Sequence, residues 1–161
     1  MNKLWQYRPL QPGEETKVYE LIARVFQEFI APHFSEEGCQ EFIKYIQPED
    51  LLRRSLLNYF VILAIDSEEI IGMTEVRDYN HVSLLFVDGH YQGNGIGKEL
   101  LDHAMQICKI KQPSLKEISV NASPNSILIY QNMGFKLSGY ERVKNGVRYT
   151  PMVLELKVKP S

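Results

Sequence analysis

Three glycines at alternate positions, Gly93, Gly95 and Gly97, follow the apolar run Leu84-Leu85-Phe86-Val87 and lead into a segment of helical periodicity. Glycine admits positive φ and lets a backbone approach a ligand closely. The first turn of a helix adds unpaired N–H groups and partial positive charge. A strand, a glycine-rich corner and a helix start, in that order, make an anion site suited above all to phosphate. The spacing narrows which phosphate. In a P-loop the Gly-Lys pair is followed by Ser or Thr, but Gly97-Lys98 is followed by Glu99, and Gln92 occupies the position of the first glycine. A dinucleotide fingerprint requires G-x-G-x-x-G, and here the glycines fall at every second position after a hairpin meander. Two readings survive: the phosphates of another coenzyme, or a turn that only packs the helix on the strand.

Coenzyme A carries a pyrophosphate arm, and the segment resembles the GNAT N-acetyltransferases. The loop of that family reads Gln/Arg-x-x-Gly-x-Gly/Ala, matched in order by Gln92, Gly95 and Gly97. A second family signature, Tyr-x-x-x-Gly-Phe, is matched by Tyr130, Gly134 and Phe135. The likeness is specific over about residues 82–135 and follows the family's element order over most of the chain. It implies one α+β domain over residues 1–161, a layered fold with a mixed, mostly antiparallel sheet of about seven strands and helices on both faces. It further implies acetyl-CoA as cosubstrate, no metal, and direct transfer to a primary amine of a small molecule or peptide, without an acyl-enzyme. A non-catalytic acetyl-CoA-binding module and a transferase for another acyl-CoA are the alternatives.

By the same resemblance, Leu85, Phe86 and Val87 hold pantetheine and the acetyl carbonyl. Gln92, Gly93, Asn94, Gly95, Ile96, Gly97 and Lys98 cradle the phosphates. N–H groups near Phe86 and Val87 face the developing oxyanion, and Tyr130 protonates the departing thiolate. The chain departs from the family pattern at Ser123 and Ser126, where many members carry Asn and Ala. Ser123 and Asn125 are kept as coenzyme contacts, because both can still hydrogen-bond. Phe29, His33, Phe34, Tyr45, Tyr79 and Tyr149 fall in the regions that shape the acceptor pocket in this family.

Acetylation needs a neutral amine, and an alkyl ammonium with a pKa of ~10.4 is almost wholly protonated at pH 7. A base, or a water relayed to one, is therefore useful. Glu75, near the end of an expected strand, is the candidate. His81 is the weaker alternative, read as an exposed histidine at a strand end.

The elements that must position these groups are legible from periodicity. Leu4 to Leu10 reads as a first strand. Val18, Leu21, Ile22, Val25 and Phe29 recur at helical spacing. Ser35 is a plausible cap for a second helix, and Pro48 opens a third. Strands are expected over 59–65, 70–77 and 81–87, a helix from Ile96 to beyond Cys108, and a strand over 116–121. A helix over 124–132 and strands over 135–143 and 149–158 complete the chain, with Pro151 at an edge or bulge.

Of the 161 residues 44% are hydrophobic and 24% charged, the balance of a folded domain, and the net charge is −2. No basic run marks a nucleic-acid binder, and no segment approaches the ~20 apolar residues of a membrane span. The two cysteines, Cys39 and Cys108, stand far apart, so neither a zinc site nor a disulfide framework is expected, and Cys108 reads as core. The cytoplasm is the expected location. The sequence leaves the oligomeric state open, a homodimer included.

Overall fold

The computed structural model describes residues 5–157. Eight strands form a sheet in the order β1-β2-β3-β4-β5-β8-β6, with β7 paired to β8. The strands are β1 Gln6–Pro9, β2 Tyr59–Asp66, β3 Glu69–Arg77, β4 His81–Val87, β5 Glu117–Ala122, β6 Lys136–Leu137, β7 Arg142–Lys144 and β8 Val147–Glu155. All pair antiparallel except β4 with β5. The helices are α1 Glu15–Phe29, α2 Glu36–Tyr45, α3 Pro48–Ser55, α4 Ile96–Lys111 and α5 Ile127–Asn132.

The apolar run of β2 explains why both faces are covered. Val61, Leu63 and Ile65 point into a core with α1 residues Leu21, Ile22 and Phe26, while Ile62 and Ala64 point to Ile96 and Leu100 of α4. A strand buried on both faces has no polar side to alternate with, so the sequence shows a continuous run. Cys108 is fully buried in the core under α4, as its spacing indicates.

The expected strand over 135–143 is two short strands, β6 and β7, which gives eight strands in place of about seven. The break falls at Ser138–Glu141, around Gly139, beside the Pro151 ring; a Cβ on Gly139 would stand 2.8 Å from that ring. Pro151 pairs with Asn121 on the β5 side, and its carbonyl accepts from the Ser138 N–H (2.9 Å) on the other, so its missing N–H falls where β6 stops. The outer ends of the expected first and last strands, Leu4 and Val158, lie outside the described residues. The helix expected over 124–132 begins as a 3-10 turn over Pro124–Ser126 before α5.

Two features open and wall a cleft on the sheet. First, β4 and β5 pair only at His81↔Ser119 and Val82↔Val120, then part, although β4 continues to Val87 and β5 to Ala122. A bulge at Ser83 starts the parting: Val82 sits opposite Val76 and Leu84 opposite Glu75, leaving Ser83 unpaired. A bulge bends its strand and raises the local twist, here turning β4 away from β5. Second, the β7–β8 hairpin turns at Asn145 (φ 51°) and Gly146 (φ 80°), the two positive φ values of a tight hairpin. Its tip reaches the start of α2, where Ser35 Oγ accepts from the Gly38 N–H (3.0 Å) and donates to the Gly146 carbonyl (3.2 Å). Gly38 packs so closely on Gly146 that neither position has room for a Cβ.

Candidate active site

The wedge between β4 and β5 opens into a cavity of about 400 Å³, walled by β4, β5, α1, α2, α5 and the β7–β8 hairpin. Along the far end of β4 the wedge is edged by main chain. The Asp88 N–H donates to the Ile71 carbonyl of β3 (2.8 Å), and the Gln92 amide donates to the Val87 carbonyl (3.1 Å). Strand alternation then turns the backbone groups of Leu85 and Val87 to the wedge and those of Phe86 to β3. The expected oxyanion donor near Phe86 is corrected accordingly: the Phe86 ring lines the cavity, while its N–H belongs to the β3 side.

Beyond Val87 the chain makes a 3-10 turn over Gly89–Tyr91 and enters the glycine corner. Gly93 (φ 83°) and Gly95 (φ 78°) are left-handed, and Gly95 caps α4. A Cβ at either position would meet no atom within 4 Å, so these glycines are set by backbone conformation and not by crowding. The corner is held from outside. Asp88 accepts from the His90 N–H (2.9 Å) and pairs with Arg24 (2.6 Å), Tyr91 donates to Asp66 (2.7 Å), and the Asn94 amide donates to the Tyr91 carbonyl (2.9 Å). Ile96 is buried, so only its N–H can serve a ligand, whereas Lys98 is exposed. Gly97 faces Met133 of the α5 end, with a Cβ position 3.4 Å from the methionine methyl.

On the α5 wall, Tyr130 lines the cavity and packs edge-on against Phe135 at 5.3 Å. Burial pushes its phenol well above the usual range, so it keeps its proton in the free protein. Ser123 also lines the cavity, bonded to Ser126 (2.6 Å) and to Asn125 (3.0 Å). Asn125 itself turns away and donates to the Phe29 carbonyl (2.9 Å), tying the start of α5 to the end of α1.

Glu75 is fully buried beneath the cavity floor. Its carboxylate accepts from the Tyr45 hydroxyl (2.9 Å), the Ser83 hydroxyl (2.7 Å) and Arg54 Nε (3.1 Å). Arg54 also donates to the Tyr45 carbonyl (2.8 Å) and lies 3.7 Å above the Tyr45 ring centroid. Tyr45 and Ser83 line the cavity, so Glu75 meets it only through those two hydroxyls. Burial and apposition to this carboxylate push the Tyr45 phenol up.

His81 is corrected. It is buried, not exposed, with Nδ1 2.7 Å from Ser119 Oγ at the point where β4 and β5 still pair. Burial lowers its pKa to about 4.

Of the six aromatic candidates, Phe34, Tyr45 and Tyr149 line the cavity. Phe29 packs on Gly89, Tyr79 stacks on Phe60 at the β3–β4 turn, and His33 lies outside the cavity wall. Sequence reasoning missed Phe26, Phe42, Glu41 and Ser83. The helical spacing that marks Phe26 and Phe42 signals only a buried face. The bulge that turns Ser83 inward left no mark in composition. Among the described residues, no cluster of three metal-ligating side chains occurs, and no helix is long and apolar enough to cross a membrane.

Residues 30–156 match the family profile of the acetyltransferase (GNAT) domain. A curated relative, the peptidyl-lysine N-acetyltransferase YjaB of Salmonella typhimurium, is 31% identical over 78 residues, 48% of this chain and 50% of its own. The chain thus spans about half the length of that relative in the match. Among solved structures, a GCN5-related N-acetyltransferase from Rhodopseudomonas palustris superposes with a TM-score of 0.83 at 18% identity, over 97% of this chain and 98% of its own. The PaiA N-acetyltransferase of Thermoplasma acidophilum, solved with coenzyme A, gives 0.80 at 20% identity, over 96% and 100%. At such identities the structures speak for the fold, and the profile match speaks for the lineage: this chain belongs to the GNAT acetyltransferase family.

Proposed function

We propose that the protein transfers the acetyl group of acetyl-CoA to a primary amine by direct attack. One observation carries the reading. The open edge of β4 runs straight into a left-handed glycine corner at the start of α4, and Tyr130 stands on the wall across the wedge. Pantetheine is a chain of amides, and the β4 edge beyond its pairing with β5 offers it the N–H and C=O of Leu85 and the N–H of Val87, the Val87 carbonyl being held by Gln92. The pyrophosphate then falls at the helix start, where N–H groups and the helix dipole favour an anion. The coenzyme-bound PaiA relative shares this fold, which is consistent with the same use.

The chemistry is set by groups on the cavity wall and directly behind it. The amine nitrogen attacks the thioester carbonyl; the C–N bond forms as the carbonyl oxygen takes up charge, which the wedge-facing Val87 N–H stabilises. The amine proton passes to the Ser83 or Tyr45 hydroxyl and on to Glu75. The C–S bond then breaks, and the thiolate takes the Tyr130 proton. An ordinary thiol has a pKa of ~8.5 and a phenol ~10, so this transfer is uphill in water. The proton must therefore move as the C–S bond breaks, with the Tyr130 hydroxyl on the cavity wall as the donor. The test is a turnover screen with acetyl-CoA and a panel of amines, read as free thiol release. Release that depends on the amine supports transfer; acetyl-CoA binding with no release on any amine indicates a binding module.

A further inference from the structure

We infer that the acceptor is a small primary amine with a single positive charge on a flat apolar body, an arylalkylamine in chemical class. A polyamine or a lysine on a folded protein fits less well. The inference rests on the acetyl-transfer reading and names the substrate of the same site.

The acceptor side is an aromatic chamber. Phe42 stacks on Phe26 at 4.2 Å and 20°, and lies 5.7 Å from the Phe86 ring of β4. Phe34 closes edge-on against Phe26 at 5.6 Å, and the Tyr45 ring is fixed by Arg54 behind it. Aromatic walls reward a flat apolar body through offset and edge-on contacts, and their faces attract one ammonium. A chamber of about 400 Å³, shared with the acetyl end of the donor, suits a small molecule.

Charge is placed for one cation only. Among the described residues, Glu41 of α2 is the one exposed carboxylate on the cavity wall, since Glu75 is buried and paired with Arg54. Facing it, the hairpin contributes Lys144 and Arg148. Arg148 is paired with Glu141 (2.9 Å), and Lys144 meets any second ammonium with like charge. A polyamine needs a further carboxylate that this wall does not supply.

Shape disfavours a protein acceptor. A peptide must lay its backbone across the mouth to send a lysine inward. Here the two walls, α2 and the hairpin, meet through the Ser35–Gly146 hydrogen bond and the Gly38–Gly146 contact.

The experiment compares kcat/KM for 2-phenylethylamine, n-hexylamine, spermidine and a lysine-containing peptide at one acetyl-CoA concentration, with acetyl-CoA affinity measured separately by calorimetry. The expected result is at least a tenfold preference for 2-phenylethylamine over each of the other three. Phe34→Leu, which keeps apolar bulk and removes the ring, should cut the preference over n-hexylamine at least threefold and leave acetyl-CoA affinity unchanged. Acetyl-CoA binding with spermidine or the peptide equal or preferred, or with none of the four amines acetylated, overturns this inference while the coenzyme site stands. No acetyl-CoA binding at all overturns the reading beneath it as well.

Discussion

Along its far side the wedge is bounded by main chain: the edge of β4 beyond its pairing with β5, followed past the cavity by two left-handed glycines and the first turn of α4. On its acceptor side the cavity is bounded by side chains from α1, α2 and a hairpin, with a buried ion pair beneath. A site made of backbone needs a few residue types at fixed spacing, because only glycine adopts left-handed φ without strain. A site made of side chains needs only apolar bulk at the right places, which many sequences supply. The first is therefore visible as a motif. The second is visible only as helical periodicity, and is free to vary with the substrate.

The largest effect is expected under the acceptor floor. Arg54→Ala leaves Glu75 buried without its cation, and breaking a buried pair typically costs about 3–5 kcal/mol. The melting temperature should drop by roughly 10 °C, and the double variant Arg54→Met with Glu75→Leu should recover much of it. A single variant melting within about 2 °C of the parent would mean that the pair holds nothing in place.

On the opposite wall, Tyr130→Phe removes one hydroxyl and keeps the ring packed on Phe135. Maximal turnover should fall about 100-fold, the low end for general acid catalysis, with acetyl-CoA affinity little changed. A rate within twofold of the parent, where chemistry limits turnover, would remove Tyr130 from the mechanism and leave water to protonate the thiolate.

The point where β4 and β5 still pair has a pH signature. His81 has a pKa lowered to about 4 by burial, below its ordinary ~6.5. Between those values the unfolded chain binds a proton that the folded chain refuses, so stability is intact above pH 6.5 and is lost as pH falls toward 4. The loss attributable to His81 should reach roughly 2 kcal/mol, allowing for partial solvation, and His81→Gln should flatten that part of the pH profile of denaturant unfolding. An unchanged slope in the variant would contradict the burial argument.

The smallest effect belongs to the glycine corner itself. Gly95→Val puts a β-branched residue at φ 78° in open space, so the fold should survive at a cost of about 1–2 kcal/mol. Acetyl-CoA affinity should weaken about tenfold as the corner relaxes away from its phosphate-binding shape. Unaltered affinity by calorimetry would make the corner a packing turn.

The same contrast explains what was legible in the sequence. Alternation, proline and glycine placement and the Ser35 cap located nearly every element, and Gly93 and Gly95 take the positive φ that glycine permits. The split of β6 from β7 was hidden because a run of strand-forming residues does not reveal that Pro151 crowds Gly139. His81 was misread because strand-end position does not reveal that its imidazole meets Ser119 of β5 and is buried there. Asn125 kept its polarity but spends it on the Phe29 carbonyl. The partner of Glu75 could not be named from the sequence, because Arg54 lies 21 residues away on α3.

Titrating the protein with acetyl-CoA by calorimetry, beside NAD and ATP, and repeating thermal denaturation at a hundredfold excess over the measured dissociation constant, tests the donor site most directly. Acetyl-CoA should bind and add ~2.7 kcal/mol of stability by linkage, with NAD and ATP far weaker. No response to acetyl-CoA, or equal stabilisation by NAD, would contradict a backbone site shaped for coenzyme A.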